Sequence, residues 1–389
     1  MASINLKGDT SGDITISAPS VAGTNTLTLP ATTETVATQN SLGVRNLIIN
    51  GDMRIDQRNA GASVSTNNSY AVDRLRNVFT ASGSFTAQQS TTAPDNFTNS
   101  VVWTVGSAAS ATSSEVANMQ YRLEGNTLYQ LGLGTSAAKT ITLSFWVRSS
   151  VTGTYCAAFI NSAADRAYVA EYSISSADTW EQKSITLTGD TSGTWLTTNG
   201  IGLRIQFDLG SGSDYNATAD TWVGANDFRT TNQTDFVNNA GATFYITGVQ
   251  LEVGSTATDF ENLPYDVQLA RCQRYFCSSF NAGVAPANGV SNSVASTFSA
   301  YDNTTGWSPW IPFPVTMRAA PTTTAYRSDV GVTDGQWTTY DSGYTSLTST
   351  NLSTNSTTSG FYCNGSRTSA FAAHDSYLLR GNFTADAEL

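Results

Sequence analysis

Along most of this 389-residue chain, apolar and polar residues alternate with a period of two. The run 140–148 (Thr-Ile-Thr-Leu-Ser-Phe-Trp-Val-Arg) alternates over its whole length, and 180–188 (Trp-Glu-Gln-Lys-Ser-Ile-Thr-Leu-Thr) does the same. Side chains on a strand point to opposite faces in turn, so these runs predict strands with one face buried and one wet. The clearest predicted strands are 100–105, 139–148, 154–160, 167–173, 181–188, 201–209 and 243–253. Gly, Ser and Asn punctuate them at short intervals, as in an antiparallel β-sandwich. Residues 210–240 carry no period and predict a long loop. Tyr215, Trp222 and Phe228 lie within it, placed either to bind a ligand or to pin the loop down.

The period changes once. Tyr265, Leu269, Cys272 and Phe276 are spaced four, three and four apart, a helical stripe. Pro264 suits a first turn, Asp266 the positive end of the helix dipole, and Arg271 and Arg274 its negative end. Beyond it a second β region is expected, with strands near 335–340, 359–364 and 376–383. Phe313, Val315 and Met317 also alternate there, but Pro309, Pro312, Pro314 and Pro321 restrict that stretch to a sheet edge.

Near the N-terminus, Ile14 and Ile16, and again Leu27 and Leu29, alternate with polar residues in pieces too short to form a core alone. Three copies wound about an axis would bury them against one another. Leu47, Ile48 and Ile49 begin a further strand, ahead of a turn at Asn50-Gly51-Asp52. The expected organisation is a segment at 1–44, a sandwich at 45–263, a linking helix at 264–280 and a β domain at 281–389.

Only 13% of residues are charged, whereas 40% are hydrophobic and 11% aromatic, which excludes a disordered chain. The net charge of −11 disfavours nucleic acid, whose phosphates call for clustered Lys and Arg. No run of apolar residues is long enough for a membrane span. No signal peptide is visible. The four cysteines show no CxxC spacing and read as free thiols. His374 is the one histidine, and no nucleophile elbow accompanies it, so no hydrolytic triad is expected. No pair of carboxylates stands out for glycoside hydrolysis. The expectation is a protein that is not an enzyme and has no cofactor. The Asp- and Asn-rich loops could still hold a structural calcium. Sugar binding requires exposed rings beside hydrogen-bonding groups. Trp307, Trp310, Trp337, Tyr340 and Tyr344, interleaved with Asp334, Gln336 and Asp341, are the candidate carbohydrate-binding set, with the turn 334–344 as its tip.

Several strings carry a resemblance. "SGDITISAPSVAGTNTLTLP", "NLIINGDMRIDQRN" followed by "YAVDR", "GVQLEVGSTATDFE" and "RCQRYF" occur in an order that resembles bacteriophage tail-fibre and receptor-binding proteins. "SFWVRSS" and "FYITGVQLEVGSTATDFE" are similar to strands of carbohydrate-binding-module-like jelly rolls. The resemblance implies a homotrimeric virion protein, made in the host cytoplasm and released by lysis. Its N-terminal segment would attach to other tail proteins, and its distal end would adsorb to host surface polysaccharide. On this reading Ile14, Ile16, Leu27, Leu29, Leu269, Cys272 and Phe276 line the trimer interface. The alternatives are a capsid decoration or head fibre, and a polysaccharide-degrading tailspike. The latter usually carries a repetitive β-helix, and no repeat is visible here.

Overall fold

A computed structural model describes residues 3–7, 13–17, 44–291, 294–329, 334–340, 344–352, 356–367, 370–372 and 375–389. The chain is all-β apart from short helices. It divides into two units, Met1–Gly43 and Val44–Leu389. In the first, Ser3–Lys7 and Asp13–Ser17 pair antiparallel, with Ile4 opposite Ile16 and Leu6 opposite Ile14. Leu27, Leu29, Asp341 and His374 lie outside the described residues.

The second unit opens with a β-sandwich. One sheet has seven strands, in the order Trp222–Val223, Ala167–Ile174, Gly153–Ile160, Ile201–Asp208, Ala117–Glu124, Leu75–Phe79 and Tyr70–Val72. The other has five: Glu181–Leu187, Ile141–Ser149, Thr243–Val253, Ser100–Ser107 and Ser84–Ser90. The alternating residues meet between the sheets, where Phe145 lies edge-on to both Phe207 and Tyr172. Each such ring contributes about 1.5–3 kcal/mol by leaving water. Buried Trp103 keeps its polar end satisfied, its indole N–H donating to Asn77 at 2.7 Å. Thr243–Val253 shifts register between Thr247 and Gln250, where Gly248 has φ +61 and Phe97 leaves no room for a Cβ. Leu47–Ile49 form no strand. Leu47 instead donates one backbone bond to Leu251, and Leu47 and Ile48 are buried in the sandwich core.

The helix is shorter than its stripe. It spans Tyr265–Gln273, and Phe276 begins the strand Phe276–Ser278, paired with the long strand Ser376–Asp386. That strand is the centre of the C-terminal region. It also pairs with Val294–Ala300, Thr322–Tyr326 and Thr338–Tyr340. A separate core gathers Phe298, Trp337, Phe361, Leu379 and Phe383. No strand forms over 313–317, where Pro312 and Pro314 lack N–H donors. Phe313 and Met317 are buried all the same.

The strings that resemble tail fibres converge where these two cores meet. Arg58 pairs with Asp386 at 2.8 Å and Glu388 at 3.0 Å, and lies over the Phe276 ring at 3.7 Å. Arg74 pairs with Glu388 and lies over Tyr275 at 3.5 Å. Arg74 is therefore not the partner of Asp73, as adjacency in the sequence suggests. Asp73 instead accepts hydrogen bonds from Gln57 and faces Arg58 at 3.9 Å. Glu124 accepts two hydrogen bonds from Arg274 and one from the Tyr275 hydroxyl. Burial pushes the Asp73 carboxyl up to about 7, against the pull of Arg58. Together these groups seat the C-terminal region on the sandwich through largely buried ion pairs and cation–ring contacts, although the buried Arg58 Nε has no hydrogen-bond partner among the described residues.

Candidate functional site: an exposed lane across the C-terminal sheet

The C-terminal sheet positions the site by strand register. Ser376 stands opposite Ser299, Ser299 opposite Trp307, Trp307 opposite Asn364, and Asn364 opposite Asn351. Residues directly opposite share a face. One row of side chains therefore runs Ser376, Ser299, Trp307, Asn364, Asn351 across five strands. At about 4.8 Å per strand the row is about 19 Å long. A parallel row, two residues along, runs Tyr340, Leu378, Thr297.

The face carrying both rows is open to solvent. Trp307 is 44% exposed, Tyr340 40% and Leu378 42%, and Ser299, Thr297, Ser376 and Asn351 are exposed as well. Beneath it Phe298, Leu379 and Tyr377 point into the core. The local sequences account for this. In Ser-Tyr-Leu-Leu over 376–379, the alternate residues Tyr377 and Leu379 are buried, which leaves Ser376 and Leu378 outward. Gly306 presses on the Phe298 ring, where a Cβ would lie 2.4 Å from it, and this turns its neighbour Trp307 to the wet side. The hydroxyls of Ser299, Thr297 and Ser376 and the amides of Asn364 and Asn351 make no side-chain hydrogen bond among the described residues. A polymer laid along the lane would meet an indole, a phenol ring and five hydrogen-bonding groups with capacity to spare.

The candidates picked from sequence separate in the structure. Trp307 and Tyr340 share this face, three strands apart, at about 14 Å across the sheet. Tyr344 pairs by backbone with Tyr340 at the sheet edge. Trp310 lies off the lane, edge-on to Tyr362 at 5.0 Å. Trp337 is fully buried, its indole N–H donating to the Asn382 carbonyl at 2.9 Å, so it offers no ring to a sugar. Asp334 pairs with Arg327 at 3.0 Å. The expected trimer set is corrected in part. Cys272 is fully buried and Phe276 is 5% exposed, both against residues of their own chain, so neither can line a contact between copies. Leu269 is half-buried.

The loop at 210–240 pins itself to the sandwich. Tyr215 stacks on buried Phe228 at 4.2 Å, and Phe228 packs on the outer side of the seven-stranded sheet with Ala158, Ile160 and Val169. The Trp222 indole N–H donates to Thr188 at 2.9 Å, and its ring meets Trp195 and Tyr168. All four cysteines are buried and unpaired. Among the described residues no three His, Cys, Asp or Glu side chains gather as a metal site. No helix there is long and apolar enough to cross a membrane.

No family model matches the chain, and no curated protein matches it. Solved structures do. The enzymatically active domain of a tailspike protein from bacteriophage CBA120 is 14% identical, covering 54% of this chain and 21% of that one, with a TM-score of 0.29. A putative sugar-binding protein from Bacteroides thetaiotaomicron is also 14% identical, covering 54% of this chain and 100% of that one, at 0.28. A carbohydrate-binding module of family 4 is 14% identical over 53% of this chain and 98% of its own, at 0.26. The present chain thus spans about a fifth of the tailspike domain and all or nearly all of the two sugar-binding proteins. Likenesses this remote assign no function to any residue of the chain.

Proposed function

We propose that this chain is a non-catalytic host-recognition protein of a bacteriophage virion, a homotrimeric tail fibre. Its N-terminal segment attaches to the particle, and the lane across its C-terminal sheet binds host surface polysaccharide. The observation that carries the reading is the lane itself: Trp307 and Tyr340 exposed on one sheet face, among hydroxyls and amides that no described neighbour uses. Rings of this kind cover the apolar faces of sugars, and side-chain amides bond their hydroxyls. The resemblance of the "NGDMRIDQRN", "VDR" and "RCQRYF" strings to tail fibres supports the virion part of the reading.

The test is binding of full-length protein to an array of bacterial surface polysaccharides. Trp307→Ala and Tyr340→Ala should each weaken binding about tenfold, equivalent to about 1.4 kcal/mol. Both changes are at exposed positions and should leave the melting temperature within a degree or two. Unchanged binding in both variants would sink the assignment of the lane. Release of reducing ends from a bound polysaccharide would favour the tailspike alternative, and immunogold labelling of the head rather than the tail would favour the decoration alternative. Sedimentation equilibrium should give three times the 41.2 kDa chain mass.

A further inference from the structure

The helix Tyr265–Gln273 also borders a cleft. Cys272 is buried, and beside it Tyr265, Leu269 and Gln273, successive residues four apart, form one partly exposed ridge. This ridge is a wall of a cleft of about 280 Å³. Phe280, the segment 281–284, the segment 54–57 and Gln89 complete its lining.

The lining is chemically specific. Tyr265 is 47% exposed, so its ring is available as an apolar surface at the rim. Leu269 and Phe280 extend that surface inward. Gln273 and Asn281 line the same space and make no side-chain hydrogen bond among the described residues, and Gln89 spends its N–H on the Met53 carbonyl at 2.6 Å but not its oxygen. The charged groups of the lining are already used. Arg54 pairs with Asp52 and donates to the Leu263 carbonyl at 2.8 Å. Asp56 accepts the backbone N–H groups of Arg58, Asn59 and Gly61. Arg54 is paired, and the Asp56 oxygens are held by backbone N–H groups, so neither offers a free charged group to an ionic ligand. A ring to stack on, free amides and spent charges suit a neutral, hydroxyl-rich ring. The volume lies just below the usual range for small-molecule sites, which limits the ligand to one or two such rings.

We propose that this cleft is a second binding site, distinct from the lane, which takes a single neutral sugar residue or the end of a neutral disaccharide. It stands whether or not the lane binds polymer, because it shares no residue with it.

The test is saturation-transfer NMR and calorimetry on the full chain with glucose, galactose, mannose, N-acetylglucosamine and lactose. At least one should bind saturably, with a Kd on the order of millimolar, as expected for so small a ligand. Tyr265→Ala should weaken that binding at least tenfold, and Gln273→Ala several-fold. Both side chains are partly exposed, and melting curves will confirm that the variants fold. Trp307→Ala should leave it unchanged. The proposal fails if none of the five sugars binds saturably, or if binding survives both Tyr265→Ala and Gln273→Ala. It also fails if Trp307→Ala abolishes binding, which would place the sugar on the lane. Loss of polymer binding in Trp307→Ala with sugar binding intact would separate the two sites.

Discussion

Single residues show how far burial overrules sequence adjacency. Asp73 and Arg74 are neighbours in the chain, yet each finds its partner elsewhere: Arg74 at Glu388, Asp73 at Gln57 and Arg58. Asp73 has the more unusual chemistry. Unfolded, it ionises near the ordinary value of 3.8; folded, near 7, because burial outweighs the guanidinium beside it. Between those values the native state holds a proton that the unfolded chain has lost. The stability this group contributes is complete below about pH 4 and is lost as pH rises through about 7. Asp73→Asn cannot titrate. The melting-temperature difference, wild type minus variant, should therefore be larger at pH 5 than at pH 8. An equal difference at the two values would mean that Arg58 keeps Asp73 ionised throughout. The same scale limits what a sequence discloses about a site. Trp307 and Trp337 both lie near a Gly in a polar stretch, and the spacing alone does not show which is buried. One fate depends on the adjacent Gly306 and what it meets across the sheet, the other on Gly381 far along the chain. Gly381 leaves a slot that the Trp337 ring fills, and Gly306 presses against Phe298 while Trp307 faces water.

At the scale of elements, the period-two runs are readable because each strand buries one face, and every strand expected between residues 100 and 253 forms. Ends and pairings are not readable. The stripe through Phe276 reads as one helix, but the chain leaves the helix after Gln273 to give Phe276 to a sheet. Apolar spacing cannot distinguish a helix from a helix followed by a strand that keeps the same side buried. The alternation at 313–317 misleads for a related reason: Phe313 and Met317 are buried without any strand. The lane is half legible. Its two rings can be named, but Ser299, Asn364, Asn351 and Leu378 join them only through register, which depends on distant strands. The strand Ser376–Asp386 sets that register, and Gly381 is its tightest point. A Cβ there would lie 2.1 Å from the Trp337 ring. Gly381→Ala must push that ring or bend the strand, at a cost of about 1–3 kcal/mol. The expected outcome is a lower denaturant midpoint together with a red shift in tryptophan emission, as Trp337 gains contact with water. A midpoint equal to wild type would show that the slot is looser than its distances imply.

At the scale of the molecule, the question is whether the C-terminal region is a separable receptor tip. Its core is its own, and residues 281–389 are legible as a second β region. Yet its central strand leans on residues before 281. Phe276, Cys277 and Ser278 pair with Asp386, Ala385 and Thr384, and Cys277 belongs to the C-terminal core itself. The last residues are held by the sandwich: Asp386 and Glu388 by Arg58, Glu388 by Arg74, and the Leu389 main-chain oxygen by Arg122 at 2.6 Å. Arg318 also exchanges hydrogen bonds with Asn199. Cutting at 281 removes one edge of the central strand and leaves Glu388, buried when paired, without either guanidinium. Breaking buried pairs in this way costs about 3–5 kcal/mol, a large part of the stability of a domain this size. A fragment 281–389 is therefore expected to be aggregated or poorly protected in hydrogen exchange. A fragment 44–389 should melt in one transition with the C-terminal strands as protected as the sandwich. If 281–389 alone gave a dispersed spectrum and a cooperative melt, the buried charges at the joint would serve orientation and not folding. The C-terminal sheet could then move relative to the sandwich. If it stays unfolded, the C-terminal sheet and the integrity of the sandwich are one property, and any binding at the proposed lane should be lost in variants of Arg58 and Arg74 that do not touch the lane.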